Sequence, residues 1–457
     1  MAIAVQELTR GFTREAVEEL SRRRREPEWL RSRRLAAWEA YLALPTPTRT
    51  DEEWRRTDLR DLPLDSVLPY TPEFVARVGS RAELPADVQE ILSGAGDMSG
   101  IVVQQDSSII YHEALAGLAD DGVIFVDLDT AIAEHPDLIE KYLMHPAAVP
   151  INHNKYAALH GAFWSTGAFL YVPADVEVEL PFEAISTLTK PGLATAFHTI
   201  VVTGENARVT FVDYCVSETL SDPEGAPFEG ESIANNVVEL HAGEGAEIRY
   251  IQIQNWGRHV WNFNTQRGTI AQDGAIRSLN VSLGAAWSKN SIAATLAEAG
   301  SQAEMLGLYF TDEHQFLDNH THQDHEAPYA TSDLLFKGAV KDHSRAVYSG
   351  LIRVAEKAFG TDAYQANRNL SLSPNARVDT MPNLEIGAND VRCTHGATVS
   401  RIEDEYLFYL MSRGITRTEA EKLMIDGFFA EVIDRVPIPQ VQEIVQSVID
   451  KKIGYTV

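Results

Sequence analysis

Cysteine is nearly missing from this chain: 457 residues carry two, Cys215 and Cys393. Two cysteines cannot form a disulfide framework, and their scarcity points to a reducing compartment, the cytoplasm. Nor can they alone hold a cluster that needs four thiolates. Positive charge is also scarce. Lys and Arg number 39 against 66 Asp and Glu, a formal net charge of −27. Nucleic-acid binding needs a cationic face to neutralise phosphate, and an anionic membrane surface attracts basic chains. Neither partner is expected. No run of about 18 apolar residues occurs, so no spanning helix is expected. Met1–Gly11 lacks the apolar core of a cleaved leader. The common catalytic signatures are missing too. Gly225-x4-Gly230 is followed by Glu231 where a phosphate loop requires lysine. Gly94-Ala95-Gly96 meets its next glycine at position 100, one place too late for a dinucleotide turn. No G-x-S-x-G elbow occurs. ATP hydrolysis, dinucleotide redox chemistry and serine-hydrolase chemistry therefore find no support.

The residues that are present divide the chain into three parts: 1–165, helical and mixed; 166–400, β; 401–457, helical. Phe12, Ala16, Val17 and Leu20 fall at helical spacing, Pro27 interrupts, and Leu35, Trp38 and Leu42 mark a second helix stopped by Pro45 and Pro47. Nine arginines lie between Arg10 and Arg34 with five glutamates among them, which reads as a solvated helix face. Gly100–Val103 and Gly122–Asp127 read as short strands, and Asp129–Met144 as one or two short helices. From about Thr166 to Val399, alternating strands punctuated by Gly, Asn and Asp dominate, with no long helical pattern between them. A small corner recurs before several strands, at Ala207, Ala246, Ala275, Ala303, Ala346 and Ala376, spaced 39, 29, 28, 43 and 30 residues apart. Recurrence near 29 suits a stacked β-solenoid, whose coils bury their faces only against one another. A β-sandwich with chance spacing is the competing reading. In the tail, Leu407, Leu410 and Met411 precede Gly414 at a C′ position. Thr416-x-x-Glu419 and Thr418-x-x-Glu421 offer overlapping capping boxes. The helix they open runs to about Arg435, before Pro437. Val441, Ile444, Val445, Val448 and Ile449 form the stripe of a last helix. Helical flanks suit a solenoid that must cover its open ends.

Two clusters could carry chemistry. In Asp318-Asn319-His320-Thr321-His322-Gln323-Asp324-His325, a strand would turn His320, His322, Asp324 and Asp318 to one face. Imidazoles with carboxylates suit iron, zinc or manganese, while a hydrogen-bonded structural segment is an equal reading. Cys393-Thr394-His395 would set a thiolate beside an imidazole on one strand face, two ligands short of a complete site. An isolated pair of this kind is more often a structural cysteine beside a surface histidine. Cys215 has no ligand near it and reads as core.

Three stretches carry a resemblance to a known family. Val391-Arg392-Cys393-Thr394-His395-Gly396-Ala397-Thr398-Val399, with Leu407-Phe408-Tyr409-Leu410-x-Ser412-Arg413-Gly414-Ile415, resembles the C-terminal signature of the SufB/SufD family of SUF-system iron–sulfur cluster assembly scaffolds. The stretch from Leu317 to Pro328, continuing through Ser332-Asp333-Leu334-Leu335-x-Lys337-Gly338, is similar to the SufD branch. Glu52-Glu53-Trp54-Arg55-x-Thr57-Asp58-Leu59 resembles the N-terminal element of that branch. Two cysteines, and Cys-Thr-His-Gly in place of a SufB-like His-Glu, also favour SufD. The resemblance implies a right-handed parallel β-helix core between helical N- and C-terminal segments. It implies a scaffold subunit, not an enzyme, that works with a SufB-type paralogue and a SufC-type ATPase, the latter contacting about Tyr406 to Arg435. It places His395, with Cys393 beside it, at the paralogue interface where iron or a nascent cluster binds transiently. No cofactor is expected to stay on the isolated chain. Flavin binding to the complex, and self-pairing of the isolated chain as a homodimer, are left open. The family assigns nothing to His320, His322 and His325; these are structural first and metal ligands second. The alternative function is a stand-alone metal-binding enzyme built on them.

Overall fold

The computed structural model describes residues 10–71, 73–94, 96–217 and 230–454. Met1–Thr9, Ala95 and Gly225, read above in the leader and glycine motifs, lie outside the described residues.

Two ten-stranded sheets face each other. The first stacks Phe182–Leu188, Arg208–Ser217, Glu247–Asn255, Ala275–Ser282, Gln302–Thr311, Thr331–Val340, Thr361–Ser371 and Val391–Arg401, all in parallel. The second stacks Thr166–Val172, Phe197–Thr203, Ser232–Ala242, Val260–Ile270, Trp287–Leu296, Phe316–His325, Arg345–Val354 and Arg377–Ile386. The chain gives one strand to each sheet per coil and then climbs one rung, making a parallel β-solenoid of about eight turns, the expected fold. Alternate side chains meet between the sheets: Leu170, Val201, Phe211, Ile248, Tyr250, Ile292, Leu334 and Tyr348 belong to one interior core.

The alanines do not mark one stack. Ala207, Ala246, Ala275 and Ala303 adjoin or open strands of the first sheet, but Ala346 and Ala376 do so in the second. The 43-residue interval is thus a step from one wall to the other. What does recur once per coil is a left-handed corner: Asp175, Asn206, Gly245, Asp273, Gly300, Tyr329 and Gly360, with φ between +53° and +73°. Each corner N–H donates to a carbonyl of the next coil, from Asp175 N to Glu205 O through Gly360 N to Asp390 O. Asn, Asp and Gly tolerate this conformation best, which accounts for the punctuation visible in the sequence.

The outer faces are covered from the two ends of the chain. Leu30, Leu128, Ile132, Leu143 and Trp164 from the N-terminal region pack on Phe169, Ile200 and Val237 of the second sheet. Helices Arg417–Ile433 and Pro439–Ile453 lay Ile425, Phe429, Val445 and Ile449 on Ile253, Val281, Leu308 and Leu335 of the first. Each such residue contributes roughly 1.5–3 kcal/mol relative to exposure. Burial on both sides shields the middle strands along their whole length, as in Phe182–Leu188, where even Glu183, Ser186 and Thr187 are buried.

Two expectations need correction. The arginine-rich stretch is only partly a solvated face. The Arg34 side chain is 1% exposed and binds Glu26 bidentately, and Arg24 reaches Asp129 at 2.6 Å. Interleaved Glu and Arg look alike in sequence whether they face water or each other. The C-terminal helices, moreover, flank the solenoid instead of covering its end. Among the described residues only the starting end is closed: the hairpin Gly100–Gln105 and Ser108–Ala114 finishes the first sheet, and Ile124–Asp127, antiparallel to Thr166–Val172, finishes the second. At the far end Val391–Arg401 and Arg377–Ile386 are terminal strands.

Candidate functional site at the open end

The interior face of the penultimate rung of the first sheet is sealed. Gln365, Asn367 and Asn369 of Thr361–Ser371 are wholly shielded. The last rung, Val391–Arg401, pairs on that side alone, and nine of its eleven residues are exposed. One backbone edge of this strand therefore has no ladder partner among the described residues, the arrangement that accepts a further strand.

Cys393 aligns beside Ala363 and His395 beside Gln365. Strand alternation puts both on one face. Cys393 packs with Leu384 and Ala388, so that face is the one turned toward the opposite wall. There the solenoid interior opens to solvent, and His395 is exposed in it. Burial pushes the Cys393 thiol up and Asp362 pushes it further, against a bond from the Ala363 N–H. The thiol is protonated near neutral pH, and a cation that binds sulfur must displace that proton. Cys215 is buried and its thiol is raised well above the ordinary range by burial and Asp213. It sits six strands away in the same sheet, roughly 29 Å at about 4.8 Å per strand, so the two cysteines cannot share one cluster.

The Asp/His stretch is strand Phe316–His325. Its alternation places Asp318, His320, His322 and Asp324 outward and His325 inward. Asp318 receives the Thr57 hydroxyl and the Lys289 ammonium at 2.8 Å, and His320 Nε2 lies 3.0 Å from its Oδ1. Burial opposes ionisation here, but Lys289 and His320 hold the carboxyl below the usual range. Lys289 also donates to the Glu53 carbonyl and stands over the Trp54 ring. Asp318 is thus where the 52–59 element docks on the solenoid. His322 is lowered by burial; Asp324, ion-paired with Arg353 at 2.5 Å, opposes the shift. His325 bonds Ser332 at 2.8 Å inside the solenoid, and burial lowers it to about 4. The sheet therefore lies between His325 and the other two histidines. Among the described residues no three His, Cys, Asp or Glu side chains converge as a metal site.

The interval from about Tyr406 to Arg435 is singled out in the sequence, but not which of its faces would be free. Helix Asp404–Ser412 buries Leu407 but leaves Tyr406, Phe408, Tyr409 and Met411 exposed, Phe408 by 74%. Its aromatic composition was visible, but which face the solenoid would cover was not. Gly414 (φ +90°) ends this turn, and Thr416, not Thr418, caps the next helix in a complete capping box with Glu419. No helix among the described residues is long and apolar enough to cross a membrane.

Comparison with known proteins gives a consistent picture. A family model described as "SUF system FeS cluster assembly, SufBD core domain" matches residues 186–428, and one described as "SufBD protein N-terminal region" matches 14–183. A Staphylococcus saprophyticus protein, named as an iron–sulfur cluster assembly SufBD family protein, is 29% identical over 436 residues, 94% of this chain and 90% of that protein. Proteins of the same description from Staphylococcus haemolyticus and Staphylococcus epidermidis are 28% identical over the same shares.

Proposed function

The chain belongs to the SufBD family of iron–sulfur cluster assembly proteins, and on that premise we propose that it is a SufD-type subunit whose open solenoid end pairs with a SufB-type paralogue. The observation that carries this reading is the unfinished last rung, where Cys393 and His395 share the face at the mouth of the solenoid. One strand brings at most two ligands and a cluster commonly takes four, so the second chain supplies the rest. Iron or the nascent cluster is cargo, held transiently between two chains. Two cysteines in the whole sequence favour the SufD over the SufB assignment. The ATPase of the complex is a separate SufC-type subunit. The exposed aromatic face of Asp404–Ser412 supports its docking there, at the start of the interval the resemblance points to.

Reconstitution of this chain with SufB-type and SufC-type partners tests the proposal. His395→Ala should leave folding and complex formation intact, because losing one exposed polar side chain costs under about 1 kcal/mol, and should reduce cluster absorbance. Cys393→Ala should reduce it less. Equal yields from all three chains in an intact complex would make the motif merely structural.

A further inference from the structure

Away from the open end, three polar links run in series between the N-terminal region and the first coils. His160 Nδ1 lies 2.7 Å from the Asn235 carbonyl oxygen, His160 Nε2 lies 3.0 Å from His198 Nδ1, and His198 Nε2 lies 3.0 Å from Glu239 Oε2. His160, on helix Lys155–Phe163, and His198 and Glu239, on adjacent strands of the second sheet, are completely buried. Glu239 also receives the backbone N–H groups of Met144, His145 and Val149 at 2.6, 2.9 and 3.2 Å.

Each link needs one proton between its heavy atoms, so the series needs three. A neutral imidazole carries one and a carboxylate none, which makes two. The Asn235 carbonyl can only accept. The three backbone protons already point at Glu239 and cannot enter the His198 link. We propose that His160, His198 and Glu239 together hold one additional, shared proton at neutral pH, and that this proton locks helix Lys155–Phe163 and the 144–149 loop onto the solenoid. Without it, one link would bring two lone pairs face to face in a site no water reaches, and a buried unmade bond is costly.

The surroundings favour the carboxylic acid as the resting place. Burial raises Glu239 to about 8, against the pull of its three backbone N–H groups and His145. Burial lowers His198 to about 3 and His160 well below its ordinary value. Arg34, from helix Glu28–Ala43 and paired with Glu26, disfavours charge on both imidazoles. His241, two residues beyond Glu239, is itself lowered to about 3 by burial, with His145 and Lys141 adding to it, so it carries no charge that would compete. The order is then Glu239 O–H to His198 Nε2, His198 Nδ1–H to His160 Nε2, and His160 Nδ1–H to Asn235.

The lock has a pH signature. In the unfolded chain these groups titrate near 4.5 and 6.5. Around pH 6.5 two half-protonated imidazoles also hold about one proton, so this source gives no pH slope. From there to about pH 8 the unfolded groups empty while the folded trio keeps its proton, and stability falls as pH rises. Below 6.5 the unfolded imidazoles fill while the folded ones resist, and stability falls again. The alkaline loss is steepest near pH 7.5, a factor of about four in the folding constant per pH unit.

Glu239→Gln tests this directly, because an amide can donate to His198 Nε2 and still accept from the His145 and Val149 N–H groups without a titratable proton, giving up only the Met144 bond. The expected variant folds, and the decline in thermal midpoint that the wild type shows between pH 6.5 and 8.5 flattens. A profile parallel to wild type would overturn the proposal. If the variant fails to fold, nitrogen-15 imidazole spectra of the full wild-type chain decide. Protonated Nδ1 and bare Nε2 on both His160 and His198 at pH 7 support the proposal. So does a doubly protonated ring on either one. Two singly protonated rings with any Nε2–H would leave only two protons for three links, and that result would sink it.

Discussion

Lys289 and Asp318 are a charged pair almost without water, with side chains 7% and 1% exposed. Such a pair adds little over an apolar substitute, but removing one partner strands the other. Lys289→Met should therefore destabilise the chain by about 3–5 kcal/mol in denaturant unfolding and loosen the 52–59 element. Because the Asp318 carboxyl is depressed in the folded chain, its contribution is present above the ordinary aspartate value and is lost as pH falls below it. The cysteines should behave as unequal thiols. At pH 7.5 the native chain should expose one slowly reacting thiol, Cys393, and the second should appear only on unfolding; Cys393→Ser should abolish the native signal. At this scale sequence spacing was informative: Cys-x-His already implies a shared strand face. What it could not say is that the strand would be the last rung, because that depends on how many coils stack beneath it. His325 teaches the reverse. It looks like one of a histidine cluster, yet the period-two rule that unites His320 and His322 sends it through the sheet.

Two neighbouring helices differ in which side the solenoid takes. Arg417–Ile433 is fastened by buried Ile425 and Phe429 and by Lys337 on Glu431 at 2.6 Å, so Phe429→Ala should cost about 3–5 kcal/mol and release it. Asp404–Ser412 turns its aromatics outward. Phe408→Glu should stay within about 0.5 kcal/mol of wild-type stability and weaken binding of the proposed SufC-type partner in a pull-down or by calorimetry. Unchanged binding would move that contact elsewhere. The tail helices, the Thr416 cap as one of two candidates and several strands of the core were legible, because periodicity and capping are local signals. The reason for the coil repeat was only half legible. Ala207, Ala246, Ala275 and Ala303 follow left-handed corners within three residues, Ala346 and Ala376 do not, and it is the corners, with their coil-to-coil hydrogen bonds, that carry the period. Tyr329 hides in that series, since a tyrosine at φ +59° does not look like a corner in sequence.

For the whole molecule, the decisive fact is that one end is finished with antiparallel strands and the other is not. An exposed parallel edge invites a second chain, so the isolated chain should self-associate weakly at high concentration. Ala397→Lys with Val399→Lys, placing charge on the face that Cys393 and His395 share, should abolish that association in sedimentation and also block the proposed pairing with a SufB-type chain. The net charge of −27 opposes two such chains meeting, so added salt should strengthen self-pairing by screening. Which end stayed open was not legible, since flanking helices read alike whether they cap an end or line a wall. Its consequence is one of valency. A rod with two receptive tips grows into a fibre, each addition offering a fresh tip. A rod with one blunt tip and one receptive tip can join a single neighbour tip to tip, after which nothing remains to extend, and the stoichiometry of the pair is written into the architecture of each half.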